Sequence, residues 1–222
     1  MGRDASPVDD LRELDRRDTE LGARADELHG ADAEVAAIRG RAEAIAAFFA
    51  AYPEQDEHLR GAVQAARAEL AAREDECREA QAAVDDARDD EARALAKHAL
   101  QRAGDHLVVA GAAVARALAA HDALDREASE LPAELDRLEE RARVVADAIV
   151  DVPRPGEGPA ALVEWASRAH AALFVASGSV DTQRERVIRE ANELATAILG
   201  EPTYGSTVAQ ARARVESARA DR

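Results

Sequence analysis

The chain of 222 residues is poor in the side chains that hold a conventional globular core together. Phe, Trp and Tyr together make up only 3% of it, and Leu, Ile, Val and Phe together only about 19%. Alanine occurs 56 times. A thick core cannot be filled by so few large apolar side chains, but a narrow seam between helices can. Because Ala, Arg, Glu and Leu favour helices, the composition predicts an all-α fold rather than disorder.

Other absences limit the possible functions. The single cysteine, Cys77, excludes an intramolecular disulfide framework and a CxxC metal site. The sequence contains no phosphate-binding loop, nucleophile elbow or HxxxH pattern, and it lacks the paired ExxH runs of a carboxylate-bridged metal site. We therefore expect no enzyme activity, no catalytic residue, no cofactor and no metal. No hydrophobic run is long enough to predict a membrane span, and the first residues do not resemble a secretory signal, so the expected location is the cytoplasm.

Charge is unevenly distributed along the chain. The formal net charge is −16, and it lies entirely in residues 1–153 because the segment from Arg154 onward carries equal numbers of acidic and basic residues. The first region should therefore repel phosphate groups, and we expect no direct binding to nucleic acid. Arginine is the main basic residue, with Lys97 the sole lysine, and together with the abundant alanine this suggests a bacterial source.

Residues 1–152 show the seven-residue spacing of large apolar side chains that is typical of coiled coils. We predict helices over 7–51, 53–103 and 105–150, folded back on one another as an antiparallel helical bundle. The predicted turns lie near 52–53, where Pro53 precedes acidic residues, and near 104–105. A kink is predicted at 129–132, where Pro132 follows Ser129.

The turn near 104–105 has one alternative. Gly104 follows basic residues that suit a helix C-terminus, and the heptad pattern changes its phase there. A single long helix that continues through Gly104 is the other reading of the same residues. If the chain does turn, the three helices have similar lengths, which suits an antiparallel arrangement.

The last part of the chain is predicted to be a small helical segment. Residues 153–159 contain three prolines and two glycines and form a predicted linker. Residues 160–222 then predict three short helices, separated near 177–181 and 200–206. We expect this segment to be ordered around Trp165 and to pack partly on the acidic coil or on a second copy of itself.

The expected function is that of a non-enzymatic coiled-coil interaction protein, acting as a scaffold, spacer or adaptor and able to form homo-oligomers. The alternative is an accessory subunit of a DNA-handling or ATP-driven assembly that does not itself contact nucleic acid. The expected partners are proteins, not membranes. Candidate docking residues are Trp165 and five acidic residues that share one short stretch: Asp85, Asp86, Asp89, Asp90 and Glu91.

Overall fold

The computed structural model describes residues 7–148 and 152–220. Over these residues the fold is all-α, with four helices and no strand. The helices are α1 (Pro7–Asp86), α2 (Asp90–Ala148), α3 (Pro159–Leu199) and α4 (Val208–Ala220). The described residues divide into two compact units, the first formed by those up to 43 together with those from 137 onward and the second by residues 44–136.

The first predicted turn, near 52–53, is wrong, because α1 continues through Pro53. A proline inside a helix removes one hydrogen bond and costs roughly 3 kcal/mol. Pro53 is exposed, so water can reach the carbonyl group that loses its partner. On either side of it, Ile45 and Val63 are buried and hold the helix in place.

The predicted turn near 104–105 is also wrong, and the alternative of a helix continuing through Gly104 is confirmed. The backbone of Gly104 does not adopt the positive φ of a helix-ending glycine. The chain instead turns at residues 87–89, between α1 and α2. Asp89 caps the new helix, because its Oδ1 accepts a hydrogen bond of 2.7 Å from the backbone N–H of Ala92.

The helices continue without interruption at the predicted kink and at one further predicted break. At 129–132, α2 continues through Pro132, and the Ser129 hydroxyl donates to the carbonyl of Arg126 instead of capping a new helix. At 177–181, α3 continues without a break, and the Thr182 hydroxyl donates to the carbonyl of Gly178 within the same helix. The predicted linker is non-helical through Gly158, and α3 begins at Pro159.

The second unit consists of the end of α1 and the start of α2, which run in opposite directions. His121 Nε2 lies 2.9 Å from Asp56 Oδ1, and His106 Nδ1 lies 4.0 Å from Glu76 Oε2. Residue numbers in these pairs rise along α1 as they fall along α2, which shows that the two stretches form a helical hairpin around the turn at 87–89.

The first unit combines both ends of the described chain. Near the start of α1, Val8, Leu11 and Leu14 pack in one apolar cluster with side chains of the final two helices. Those partners are Val187, Ala191 and Ala195 of α3, with Val208, Ala211 and Val215 of α4. The prediction that the last segment packs on the acidic helical region is therefore confirmed for these residues.

Ion pairs and a side-chain clamp order the first unit further. Arg184 Nε donates to Asp18 Oδ1 at 2.7 Å, and the hydrogen bond from Arg141 lowers the pKa of Glu34. Asn192 closes the loop between α3 and α4. Its amide donates to the carbonyl of Gly205 at 2.9 Å and accepts from the N–H of Gly205 at 2.7 Å.

Candidate interaction surface

The five acidic residues singled out in the sequence lie around the turn of the helical hairpin. Asp85 and Asp86 end α1, Asp89 caps α2, and Asp90 and Glu91 occupy the first turn of α2. All five are exposed. We call these residues the acidic tip. Part of their role is local, because carboxylates at a helix N-terminus interact favourably with the helix dipole.

Trp165, the other predicted docking residue, is buried with only 3% of its surface exposed. Leu162 and Ala169 are buried on the same side of α3. The expectation that this segment is ordered around Trp165 agrees with that burial. Because its ring is inside the first unit, a partner could reach Trp165 only after rearrangement of the helix, and we do not retain it as a docking residue.

An exposed apolar surface on α2 was not recognised from the sequence. Val108 and Val109 are 73% and 65% exposed. Ala112, Ala115 and Ala119 continue the surface along the same side of α2 and are exposed as well. We call these five residues the apolar face. The sequence pattern does not reveal this surface, because a repeat of apolar residues cannot show which of several apolar stripes another helix covers.

The apolar face belongs to the most hydrophobic part of the chain. Within the described ranges, α2 is the one helix that is long and apolar enough to span a membrane, judged by length and composition alone. The window concerned has a mean hydropathy of 1.5, and only 11% of it is buried. An apolar window that is exposed to this degree differs from the core helix of a soluble protein, which is mostly buried.

A third feature brings together polar side chains from both helices of the hairpin. His121 Nε2 lies 2.9 Å from Asp56 Oδ1, and His121 Nδ1 lies 3.3 Å from Asp125 Oδ2. The Tyr52 hydroxyl donates to Asp125 Oδ1 at 3.0 Å, and this hydrogen bond raises the pKa of Tyr52. We call Asp56, His121 and Asp125 the His121 cluster.

The His121 cluster could not be recognised from the sequence, for a definable reason. His121 and Asp125 are one helical turn apart, which is visible in the sequence, whereas Asp56 reaches them only through the pairing of α1 with α2. With the turn placed near Gly104, the predicted register brings other residues opposite Asp56. Only the turn at 87–89 places Asp56 beside His121.

Comparisons of the chain with protein-family models, with curated proteins and with solved structures find no match.

Proposed function

We propose that the chain is a non-enzymatic interaction protein of a bacterial cytoplasm, a scaffold, spacer or adaptor, whose hairpin is a coiled coil that associates with further helices. A second copy of the chain is the first partner we propose, giving a homo-oligomer in which four or more antiparallel helices form a bundle. The observation that carries this proposal is the exposed apolar face of α2.

A helical partner suits this face because of its side chains. Exposed alanines let a second helix approach closely, at the short end of the usual 8–10 Å between helix axes, while Val108 and Val109 supply larger contacts. Each apolar square ångström removed from water contributes about 25 cal/mol. Packing two such faces together would therefore favour association, because it removes apolar surface from water that an isolated hairpin leaves exposed.

A protein partner fits this segment better than a lipid bilayer does. His121 lies within the same apolar stretch and is paired with Asp56 of α1. Inserting α2 into a membrane would break that pairing and bring Arg116 and Asp122 into hydrocarbon. Each such charge costs roughly 2.5–3.5 kcal/mol at the centre of a membrane on insertion scales.

The proposal is tested by measuring self-association of the full chain by sedimentation velocity over a dilution series. Val108→Glu should shift the protein towards monomer, because a carboxylate would have to be buried in the interface. Val175→Glu is the matched control, since Val175 is 71% exposed on α3 and lies outside the apolar face. A wild-type chain that stays monomeric, or a Val108→Glu variant that associates like wild type, would refute the proposal.

Two further titrations separate the other possibilities. Flotation with anionic vesicles should leave the protein in the unbound fraction, and binding that Val108→Glu abolishes would assign the apolar face to a membrane instead. Titration with duplex DNA at low salt should show no binding, because the −16 charge repels phosphate. Tight binding would favour a direct role in DNA handling and count against the scaffold.

A further inference from the structure

We propose that the His121 cluster is a binding site for a divalent transition-metal ion, with Zn²⁺ as the ion of choice. One imidazole and two carboxylates converge from α1 and α2, and their ligand atoms all lie within 4.8 Å of one another. An imidazole ligand disfavours Mg²⁺ and Ca²⁺, while a set without thiolate disfavours Cu⁺. A nitrogen and oxygen set of this kind suits Zn²⁺.

The presence of a histidine distinguishes the His121 cluster from the acidic tip. Carboxylates at the acidic tip are exposed and have no imidazole among them. In the His121 cluster, by contrast, the side chains of Asp56 and His121 are only 14% and 19% exposed. Both helices of the hairpin contribute ligands, so a bound ion would join α1 to α2.

The observed distances lie near those of a zinc coordination shell. Zn²⁺ binds nitrogen and oxygen ligands at about 2.0–2.2 Å, which places tetrahedral ligand atoms roughly 3.3 Å apart. His121 Nε2 and Asp56 Oδ1 are already 2.9 Å apart. Asp125 lies at the other ring nitrogen, 3.3 Å from His121 Nδ1, and its more exposed side chain would have to turn to reach an ion held by Nε2 and Asp56. With three protein ligands, water would complete the shell.

Two neighbouring side chains would tune the affinity in opposite directions. Tyr52 donates to Asp125 Oδ1, and a hydrogen bond from it would orient that carboxylate in the metal-bound state, as outer hydrogen bonds commonly do around metals. Arg60 Nε lies 3.0 Å from Asp56 Oδ1, the same oxygen that His121 contacts. Because its positive charge competes with the ion for this oxygen, Arg60→Ala should bind Zn²⁺ more tightly than wild type does.

The test is a calorimetric titration of ZnCl₂ into the metal-free full chain. Wild type should bind one Zn²⁺ per chain, and His121→Gln should weaken binding by at least about tenfold. Glutamine keeps an N–H donor for Asp56, so the hairpin should stay folded, which far-UV circular dichroism checks. His106→Ala is the control: His106 is exposed and has a single carboxylate, that of Glu76, at 4.0 Å.

Equal affinity in wild type and His121→Gln, or no site of one ion per chain, would overturn the proposal. The cluster would then be a hydrogen-bonded clamp in which one imidazole bridges two carboxylates. One ion shared between two chains would overturn it as well, because the site would then need a second copy. Self-association is measured without metal, so this outcome and the failure of the proposed function are distinguishable.

Discussion

Replacing Gly104 with alanine should stabilise the protein, and the result distinguishes a continuous helix from a turn at this residue. In the structure Gly104 lies inside α2, and a Cβ built on its backbone would meet no atom within 4 Å. Alanine is favoured over glycine in a helix interior by roughly 0.5–1 kcal/mol, and no steric conflict subtracts from that gain. We therefore expect the free energy of unfolding to rise by about that amount.

The measurement is urea unfolding followed by far-UV circular dichroism, with two matched variants. Ala94→Gly lies in an exposed position of the same helix, outside the apolar face, and should cost roughly the amount that Gly104→Ala gains. Gly200→Ala should be destabilising, because Gly200 ends α3 with φ at 76°, a conformation that alanine rarely adopts. If Gly104→Ala destabilised the protein instead, the backbone at this position would not be helical, and the helix assignment of α2 would be refuted.

Three other variants probe the caps, the clamp and the ion pairs. Asp89→Ala should lower the free energy of unfolding by about 1 kcal/mol, seen in the same urea titration, because α2 loses the side chain that caps it. Asn192→Ala leaves two polar groups of Gly205 without their partner and should cost about 1–3 kcal/mol; an unchanged midpoint would show that water replaces the clamp. Glu34→Gln should cost less than about 1 kcal/mol at pH 7, as expected for a largely exposed ion pair with Arg141. Since the pKa of Glu34 is lowered from 4.5 in the folded state, this contribution is present above that value, and the two proteins should become equally stable as the pH falls through the lowered pKa.

The helical class of the fold could be predicted from composition and periodicity alone, but the places where the chain turns could not. The sequence predicts helix ends at Pro53 and Gly104, whereas both residues lie inside helices in the structure. Pro53 and Gly104 each cost a few kcal/mol or less in a helix, and packing of the neighbouring residues on the partner helix outweighs that cost. Locally, the residues Ala87 to Asp89 contain neither glycine nor proline, so the turn had no conventional signal except the capping pattern of Asp89.

Placing the turn correctly also determines which side chains meet. Counting outward from residues 87–89 pairs Asp56 with His121, whereas counting from Gly104 does not. The His121 cluster could therefore not be predicted from the spacing of residues along a single helix. In contrast, the burial of Trp165 followed from the apolar stripe of α3 itself and needed no knowledge of the partner helix.

The way the first unit is assembled determines the order in which the protein can fold during its synthesis. Its apolar cluster joins Leu11, near the start of the chain, to Val215, near the end. A nascent chain therefore exposes the apolar stripe at the start of α1 until α4 has left the ribosome. The hairpin around residues 87–89 joins residues that are closer in sequence, such as Asp56 and His121, and can form earlier. A chain that ends prematurely, before α4 is made, would keep a folded hairpin but leave the apolar stripe at the start of α1 exposed, which favours aggregation and degradation.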